Sequence, residues 1–358
     1  TRGSKSVAVG HQALKTQNLT SATDVYNTAV GQNAGLSVTT GIANTYIGGL
    51  SGDASTTASA NTALGYNSMS SVTTGDNNVA VGSDALFTNT VGDRNVAVGK
   101  GALENHNPAS NADTYNVGVG WGAGGAITTG VNNTAVGGTA LVNATTGDNN
   151  TAVGIFAMGS GVVTGNLNTC VGYAAGYDIT SGGGNVLIGA DAGRAGSPGG
   201  SMTTGNGAIV IGDENISDAY VQVDWTIASD ERDKTDFTAL DLGLDFVNAL
   251  EPLTYKWDKR SKYGDKTAED YDLNAQTPDG THKEDWLDIG FKAQAVEALE
   301  IAAGYTKETN TNLVSSHSDD GKQMGLQYSK FVPILVKAIQ ELSAQNAALT
   351  ARIEALES

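Results

Sequence analysis

A single cysteine, Cys170, in 358 residues excludes an intrachain disulfide framework. Cys170 occupies a slot that elsewhere holds alanine, so it reads as core filler. No run of 18 apolar residues occurs, which predicts no membrane insertion by a spanning helix. Positive charge is also scarce: 20 Lys and Arg stand against 38 Asp and Glu, a net charge of −18. Such a chain is a poor match for a nucleic-acid backbone or an anionic membrane surface. The four histidines (His11, His106, His282, His317) have no metal-ligand spacing, and neither HExxH nor CxxC occurs, so no metal and no cofactor are expected.

What the chain has in abundance is glycine, 47 residues, and most of it marks a repeat. A short phrase, most often Asn-Thr/Val-Ala-Val-Gly, recurs twelve times, closing at Gly10, Gly31, Gly48, Gly65, Gly82, Gly99, Gly120, Gly137, Gly154, Gly172, Gly189 and Gly212. The dominant spacing is 17 residues, and the longer intervals read as loops inserted into a regular stack. The residue before each glycine is aliphatic (Val9, Val30, Ile47, Leu64, for example), and two places earlier stands a β-branched residue such as Val7, Thr28 or Val186. Between them lies a mostly small residue: Ala8, Ala29, Ala80, Ala97, Ala135, Ala152. This alternation predicts a strand with the aliphatic pair facing the core and the small residue outward.

The second half of each unit carries pairs such as Ala85-Leu86 or Ala157-Met158, then a Thr-Thr-Gly segment such as Thr73-Thr74-Gly75. Its glycine is expected to supply the positive φ of a tight turn. The expectation is therefore two strands and two turns per unit, one coil of a mostly β, trimeric β-roll or β-solenoid of about twelve 17-residue coils over residues 1–212. At about 4.8 Å per coil the stack would be about 55 Å long. Asn at the head of ten phrases, Asn27 to Asn185, predicts an amide ladder. The pairs Gly75-Asp76, Gly92-Asp93 and Gly147-Asp148 lack the nonapeptide spacing of calcium-binding rolls and read as turns.

The repeat text resembles the YadA-like head repeats of trimeric adhesins and bacteriophage fibres. The resemblance covers residues 6–212 and implies a homotrimer. It leaves the ligand open, because such heads bind varied surface molecules.

Composition changes sharply near residue 228: 40 of the 47 glycines precede Ser229, while 38 of the 58 charged residues follow from there. Residues 213–228 read as a connecting strand or linker, with Tyr220 to Ala228 strand-like. At the seam stands Ser229-Asp230-Glu231-Arg232-Asp233-Lys234. A serine with a lysine five residues on can form a Ser/Lys dyad when burial lowers the lysine pKa. The spacing alone occurs in any charged loop.

The hexapeptide, however, resembles the Ser-Asp-x-Arg-x-Lys signature of the peptidase S74 domain, the intramolecular chaperone of phage endosialidases and other tail fibres. The likeness continues through Leu250-Glu251-Pro252-Leu253-Thr254-Tyr255-Lys256, Gly290 to Val296 and Tyr328 to Leu342. It implies an α+β chaperone domain over 229–358. It also implies cleavage between Ala228 and Ser229, with Ser229 as nucleophile and Lys234 as general base. Arg232 matches the signature arginine and, with Asp230, is expected to order the loop. Asp233 beside Lys234 favours the charged form of the lysine, so efficient cleavage requires it to point away.

Residues 328–358 predict a parallel coiled-coil helix with Val332, Ile339, Asn346 and Ile353 at a and Leu335, Leu342, Leu349 and Leu356 at d. Ile at a with Leu at d leans toward two strands. The larger repeat region is expected to impose three.

The expected function is a structural, host-receptor-binding phage tail fibre whose chaperone drives trimer folding and then cuts itself away. Its expected partners are two further copies of itself, a host-surface glycan or protein receptor, and other tail proteins reached through an amino-terminal part missing before Thr1. Its expected places are the virion tail and, during assembly, the host cytoplasm. A glycan-degrading tailspike is one alternative, although residues 6–212 have few carboxylates outside turns. A sugar-binding loop at Asn105 to Tyr115 would use Asn105, His106 and Tyr115. A bacterial trimeric surface adhesin with the same chaperone is the other.

Overall fold

Each repeat phrase forms one three-residue strand, and the twelve strands, from Val7–Val9 and Thr28–Val30 to Val186–Ile188 and Ile209–Ile211, make one parallel sheet in chain order. Phrase lies on phrase: Thr134, Ala135 and Val136 pair with Thr151, Ala152 and Val153. The computed structural model describes all residues except 1, 2, 20–22, 223, 267, 269, 307–312 and 358. It divides into two compact units, Thr1–Asn215 and Ile216–Ser358.

The first unit is a β-solenoid, but its inside is the reverse of the expected one. Beyond the first strand, whose Ala8 is exposed at the end of the stack, the middle residue of each strand points inward and is fully buried at Ala29, Tyr46, Ala63, Ala80, Ala97, Ala135, Ala152, Cys170 and Leu187. The flanking aliphatic residues face outward: Val7, Val9, Leu64, Val171, Ile188, Ile209 and Ile211 are exposed, and the others half-buried. The cause is volume. Across each coil the strand meets the Ala-Leu or Ala-Met pair, whose large members (Leu86, Leu103, Leu141, Met158) fill the narrow interior, so the opposing strand residue must be small. Where the strand supplies Tyr46, the facing positions are Gly35 and Gly52, and a Cβ at Gly52 would lie 2.4 Å from the Tyr46 ring. The buried Tyr46 hydroxyl donates to Ser55 Oγ at 2.8 Å. Burial pushes the Cys170 thiol up to about 12, in keeping with a filler role.

Among the described residues a second strand forms only as two-residue pairs at the two 21-residue coils, and in the other units it does not form. Two residues on that side adopt left-handed backbone, as at Asp84 and Leu86 (φ 58° and 52°) or Thr139 and Leu141 (both 51°), and such residues break a pleated ladder. The glycine of the Thr-Thr-Gly segment also differs from expectation. Gly75, Gly130 and Gly147 lack positive φ, which falls instead two residues later at Asn77, Asn132 and Asn149. These glycines are required by close approach: a Cβ at Gly130 would sit 2.5 Å from the Gly147 carbonyl oxygen of the next coil. Asp76, Asp93 and Asp148 tie coils together, their Oδ1 atoms accepting the backbone N–H groups of Ser59, Asp76 and Val131 at 2.6, 2.6 and 2.8 Å.

The asparagine row is a buried ladder, fully enclosed from Asn27 to Asn185. From Asn27 to Asn168 each Oδ1 accepts the backbone N–H of the asparagine one coil on, as Asn133 Oδ1 does from Asn150 at 2.9 Å, and Asn185 Oδ1 accepts that of Ala208. Except at Asn95, which donates to the Asp93 carbonyl at 3.2 Å, each Nδ2 also donates to a backbone carbonyl just short of one full turn on, as Asn133 does to Gly147 at 2.8 Å. Side chain to backbone is thus the main link. Amide-to-amide contacts such as Asn150 Nδ2 to Asn133 Oδ1 at 3.2 Å are added to it.

His106 fills an inward slot that holds Val38, Val72 and Ile179 in other coils and is fully buried, so it cannot touch a sugar as the loop reading required. Its Nδ1 has no partner among the described residues, and burial pushes its pKa down to about 4. Because the folded value lies below the unfolded one, the unfolded chain binds the proton more readily between about pH 6.5 and 4. Stability is therefore intact above pH 6.5 and falls as pH drops toward 4, by about 3 kcal/mol per chain. Thermal melts of the wild type and His106→Val at pH 7 and 4.5 should show the variant losing less on acidification. An equal loss in both would refute the effect.

Two coils are 21 residues long, Gly10 to Gly31 and Gly99 to Gly120, and they share one design. Lys5 bridges Asp24 at 2.7 Å and lies 5.2 Å from the centre of the Tyr26 ring. The same trio recurs 89 residues on as Arg94 paired with Asp113 and stacked over Tyr115. Each is accompanied by an extra parallel strand pair, Gly3–Ser4 with Thr23–Asp24 and Gly92–Asp93 with Ala112–Asp113. Four coils lie between them, so the second stands five coils on from the first.

The second unit is a small α+β region. Helices α1 (Leu244–Ala249), α2 (Ala293–Ala302) and α3 (Phe331–Glu357) accompany two antiparallel strand pairs, Leu253–Tyr255 with Asp288–Gly290 and Ser315–His317 with Met324–Leu326. Leu242, Phe246, Val296, Val314, Phe331 and Ile334 form its core. Glu341 of α3 accepts the Leu244 N–H at the start of α1 at 2.7 Å, and Gly243 leaves the space for it. Buried Glu300 of α2 gathers the N–H groups of Leu313, Val314 and Ser315. The heptad face of α3 is turned outward: Val332, Leu335, Ile339, Leu342, Leu349, Ile353 and Leu356 are exposed, while Phe331, Ile334 and Ala338 face the domain core.

Candidate processing site

The hexapeptide at the seam folds into a local hook. Asp230 caps a single 3₁₀ turn, Glu231–Asp233, its side chain accepting the Arg232 N–H at 2.9 Å. The Arg232 guanidinium then closes on the same carboxylate, Nη2 to Oδ2 at 2.6 Å and Nε to Oδ1 at 3.0 Å. That pairing holds the Asp230 carboxyl below its ordinary range and raises Arg232. The two side chains are thus paired within the turn itself.

The turn brings the chain round so that Lys234 Nζ lies 2.6 Å from Ser229 Oγ and 3.2 Å from the Ser229 carbonyl oxygen. This is hydrogen-bond reach for a nucleophile and its base. Among the described residues no ion pair joins Asp233 to Lys234. Lys234 Nζ donates to the Ser229 hydroxyl in this contact. All residues from Asp224 to Thr238 are exposed, and a solvated ammonium is a poor base until it is desolvated.

The segment before the site is not a strand. Tyr220–Gln222 and Asp224–Ala228 carry no ladder bonds, and Val223 lies outside the described residues. Its alternation remains visible as exposed side chains, with Val221, Trp225 and Ile227 each more than half exposed. A strand needs a neighbour to complete its hydrogen bonds, and the chain by itself provides none here.

Sequence reasoning missed an apolar groove in the second unit, lined by Val247, Leu250, Pro252, Phe291, Tyr328, Phe331, Val332 and Leu335. Its signal was present, since Phe291, Tyr328 and Phe331 stack closely and all belong to the motifs that suggested the family.

Residues 229–305 match the family model Peptidase_S74, described as chaperone of endosialidase. The match begins at Ser229 itself. No curated protein and no solved structure matches the chain. The chain therefore carries a chaperone-of-endosialidase domain after a β-solenoid, an arrangement that fits proteins of the fibre or tailspike type.

Proposed function

We propose that this chain is a homotrimeric, receptor-binding phage tail fibre with YadA-like head repeats, whose carboxyl-terminal domain nucleates the trimer and then releases itself by cutting between Ala228 and Ser229. The observation that carries the reading is the outward aliphatic row on the twelve-stranded sheet. Soluble single chains rarely expose a continuous apolar strip of this extent, and strips of that kind mark subunit contacts. Three copies facing one another would bury it. The outward heptad face of α3 supports the same symmetry at the other end of the chain.

Assembly also supplies what the dyad lacks. Packing of the exposed Val221, Trp225 and Ile227 against partner chains would remove water from the neighbouring Ser229 and Lys234. Lys234 then takes the Oγ proton, Oγ attacks the Ala228 carbonyl carbon, and the Ala228–Ser229 C–N bond breaks as the proton passes to the leaving amine. Water hydrolyses the resulting ester, leaving an Ala228 carboxylate and a free Ser229 amino terminus. Cleavage thereby waits for the folded trimer.

The test is a mass measurement with amino-terminal sequencing. Uncleaved Ser229→Ala protein should scatter light as three times the 36.5 kDa chain, and the wild type should yield a fragment beginning at Ser229. Lys234→Ala should stay whole, with cleavage reduced by at least about 10³-fold, the scale of a lost general base. A monomer at micromolar concentration, or cutting at the same bond in Ser229→Ala, would refute the respective half of the reading.

A further inference from the structure

The sheet face repeats strictly from coil to coil, whereas the side after the closing glycine varies, and on the coils between Gly120 and Gly212 it gathers aromatic rings. Phe156 packs edge-on against Tyr173 and Tyr177, at 6.0 and 6.4 Å between ring centres. Arg194 lies 4.7 Å above the Tyr177 ring and is paired with Asp191 at 2.6 Å. Trp121, 64 % exposed, stands in the same row as Ile155 and Tyr173, one residue after its closing glycine. Between Trp121 and Ile155 that row holds Gly138, and a Cβ added there would meet nothing within 4 Å.

None of this is required by the fold. Phe156 sits at φ 60°, a left-handed position that other coils fill with Asn33, Asn67, Asp84 or glycine and also with Gln12, Leu50, Thr139 and Ala174, so the backbone there does not call for an aromatic ring. An exposed phenylalanine there strains the backbone and contributes little to the interior, as residues selected for a surface task do. The two rows flanking Gly138 are two coils, about 10 Å, apart, which leaves a slot open to solvent.

We propose that this aromatic track binds a neutral saccharide chain, one pyranose ring lying in the Gly138 slot against Trp121 and the next over the Phe156 and Tyr173 edge. Aromatic faces pack against the apolar C–H faces of sugars while hydroxyl groups stay in water, the amphipathic match that exposed Trp and Tyr provide. The choice of a neutral ligand follows from charge. The chain carries −18 overall, and the cation of the patch, Arg194, is already engaged by Asp191, so an acidic polymer would be repelled. The inference rests on the receptor-binding part of the reading above and not on its assembly part.

The test uses calorimetry on the full chain with four probes: maltohexaose, cellohexaose, mannohexaose and chitohexaose. At least one should bind with a Kd of about 1 mM or tighter. Trp121→Ala and Tyr173→Ala should each weaken that binding by at least about tenfold, with thermal midpoint and oligomer mass unchanged. Tyr66→Ala, in the same row but outside the patch, should leave it unchanged. No heat with any probe, or equal affinity in both patch variants, would overturn the proposal. So would a changed oligomer mass in those variants, since the patch would then be a subunit contact. Mass and cleavage are read separately, so failure of the fibre reading is not confused with failure here.

Discussion

Residues 1–228 expressed alone should give insoluble or monomeric protein and almost no trimer, whereas the same residues released by cleavage after folding should remain trimeric and resist heat and detergent. The asymmetry follows from the sheet. Its strands pair only across intervals of 17 residues or more, each three residues long, and the aliphatic row stays exposed until partners cover it. Non-local pairing of this kind forms slowly, and unpaired edges aggregate meanwhile. A domain that joins the chains early raises their local concentration and removes that delay. In the proposed mechanism, once the row is covered the clamp would no longer be needed, and its departure would make the assembled state kinetically hard to reverse. Gel filtration and unboiled electrophoresis of both preparations decide the matter. Soluble trimer from the truncated gene would show that the second unit is not a folding chaperone here, while leaving the solenoid intact.

Asn133→Ala should cost about 4 kcal/mol per chain, more than most single substitutions. Alanine there leaves the Asn150 N–H without its acceptor and the Gly147 carbonyl without its donor, both inside the coil where water cannot replace them. It also removes the amide contacts with Asn116 and Asn150 at 3.3 and 3.2 Å. Asn206, exposed near the end of the stack, accepts the Gly183 N–H at 2.7 Å and donates to the nearby Thr204 carbonyl at 3.2 Å, both open to water, and its replacement by alanine should cost less than about 1 kcal/mol. Denaturant melts of the two variants at equal protein concentration give the comparison. Similar midpoints would mean that the ladder is ornamental.

The stack was legible in the sequence because a 17-residue period and a fixed phrase leave few other folds. Its inside was not. Period-two alternation says that two faces of a strand differ without saying which is enclosed, and the deciding fact is the volume offered by the opposite side of the coil. Tyr46 facing Gly35 and Gly52 records that fact, but only after the coil is closed. The second side misled for a similar reason: left-handed backbone at Leu86 or Met158 is invisible in residue types that normally avoid it.

At the seam, the contact between Ser229 and Lys234 was readable from a six-residue motif because one short turn creates it. The strand expected at 220–228 was not realised, since alternation shows readiness to pair and not the presence of a partner. His106 looked like a ligand in a loop and proved to be interior. The aromatic track was hidden by distance, with Phe156 and Arg194 far apart in the chain and close only when coils are laid one above another.

The near identity of successive coils has a cost that the two 21-residue coils address. Three parallel chains built from interchangeable rungs can align out of phase by one rung or several, with almost every aliphatic contact preserved. A displacement by one rung, however, sets the bulge carrying Lys5, Asp24 and Tyr26 against a plain coil on the neighbour, and the same happens at Arg94, Asp113 and Tyr115. In the trimer proposed above, the long coils would therefore work as phase marks, like the thickened graduations of a ruler. Because they stand five coils apart, the misalignment that they discriminate against least is a shift of five rungs. If the proposed trimer forms, its off-register assemblies should be found at that shift before any other.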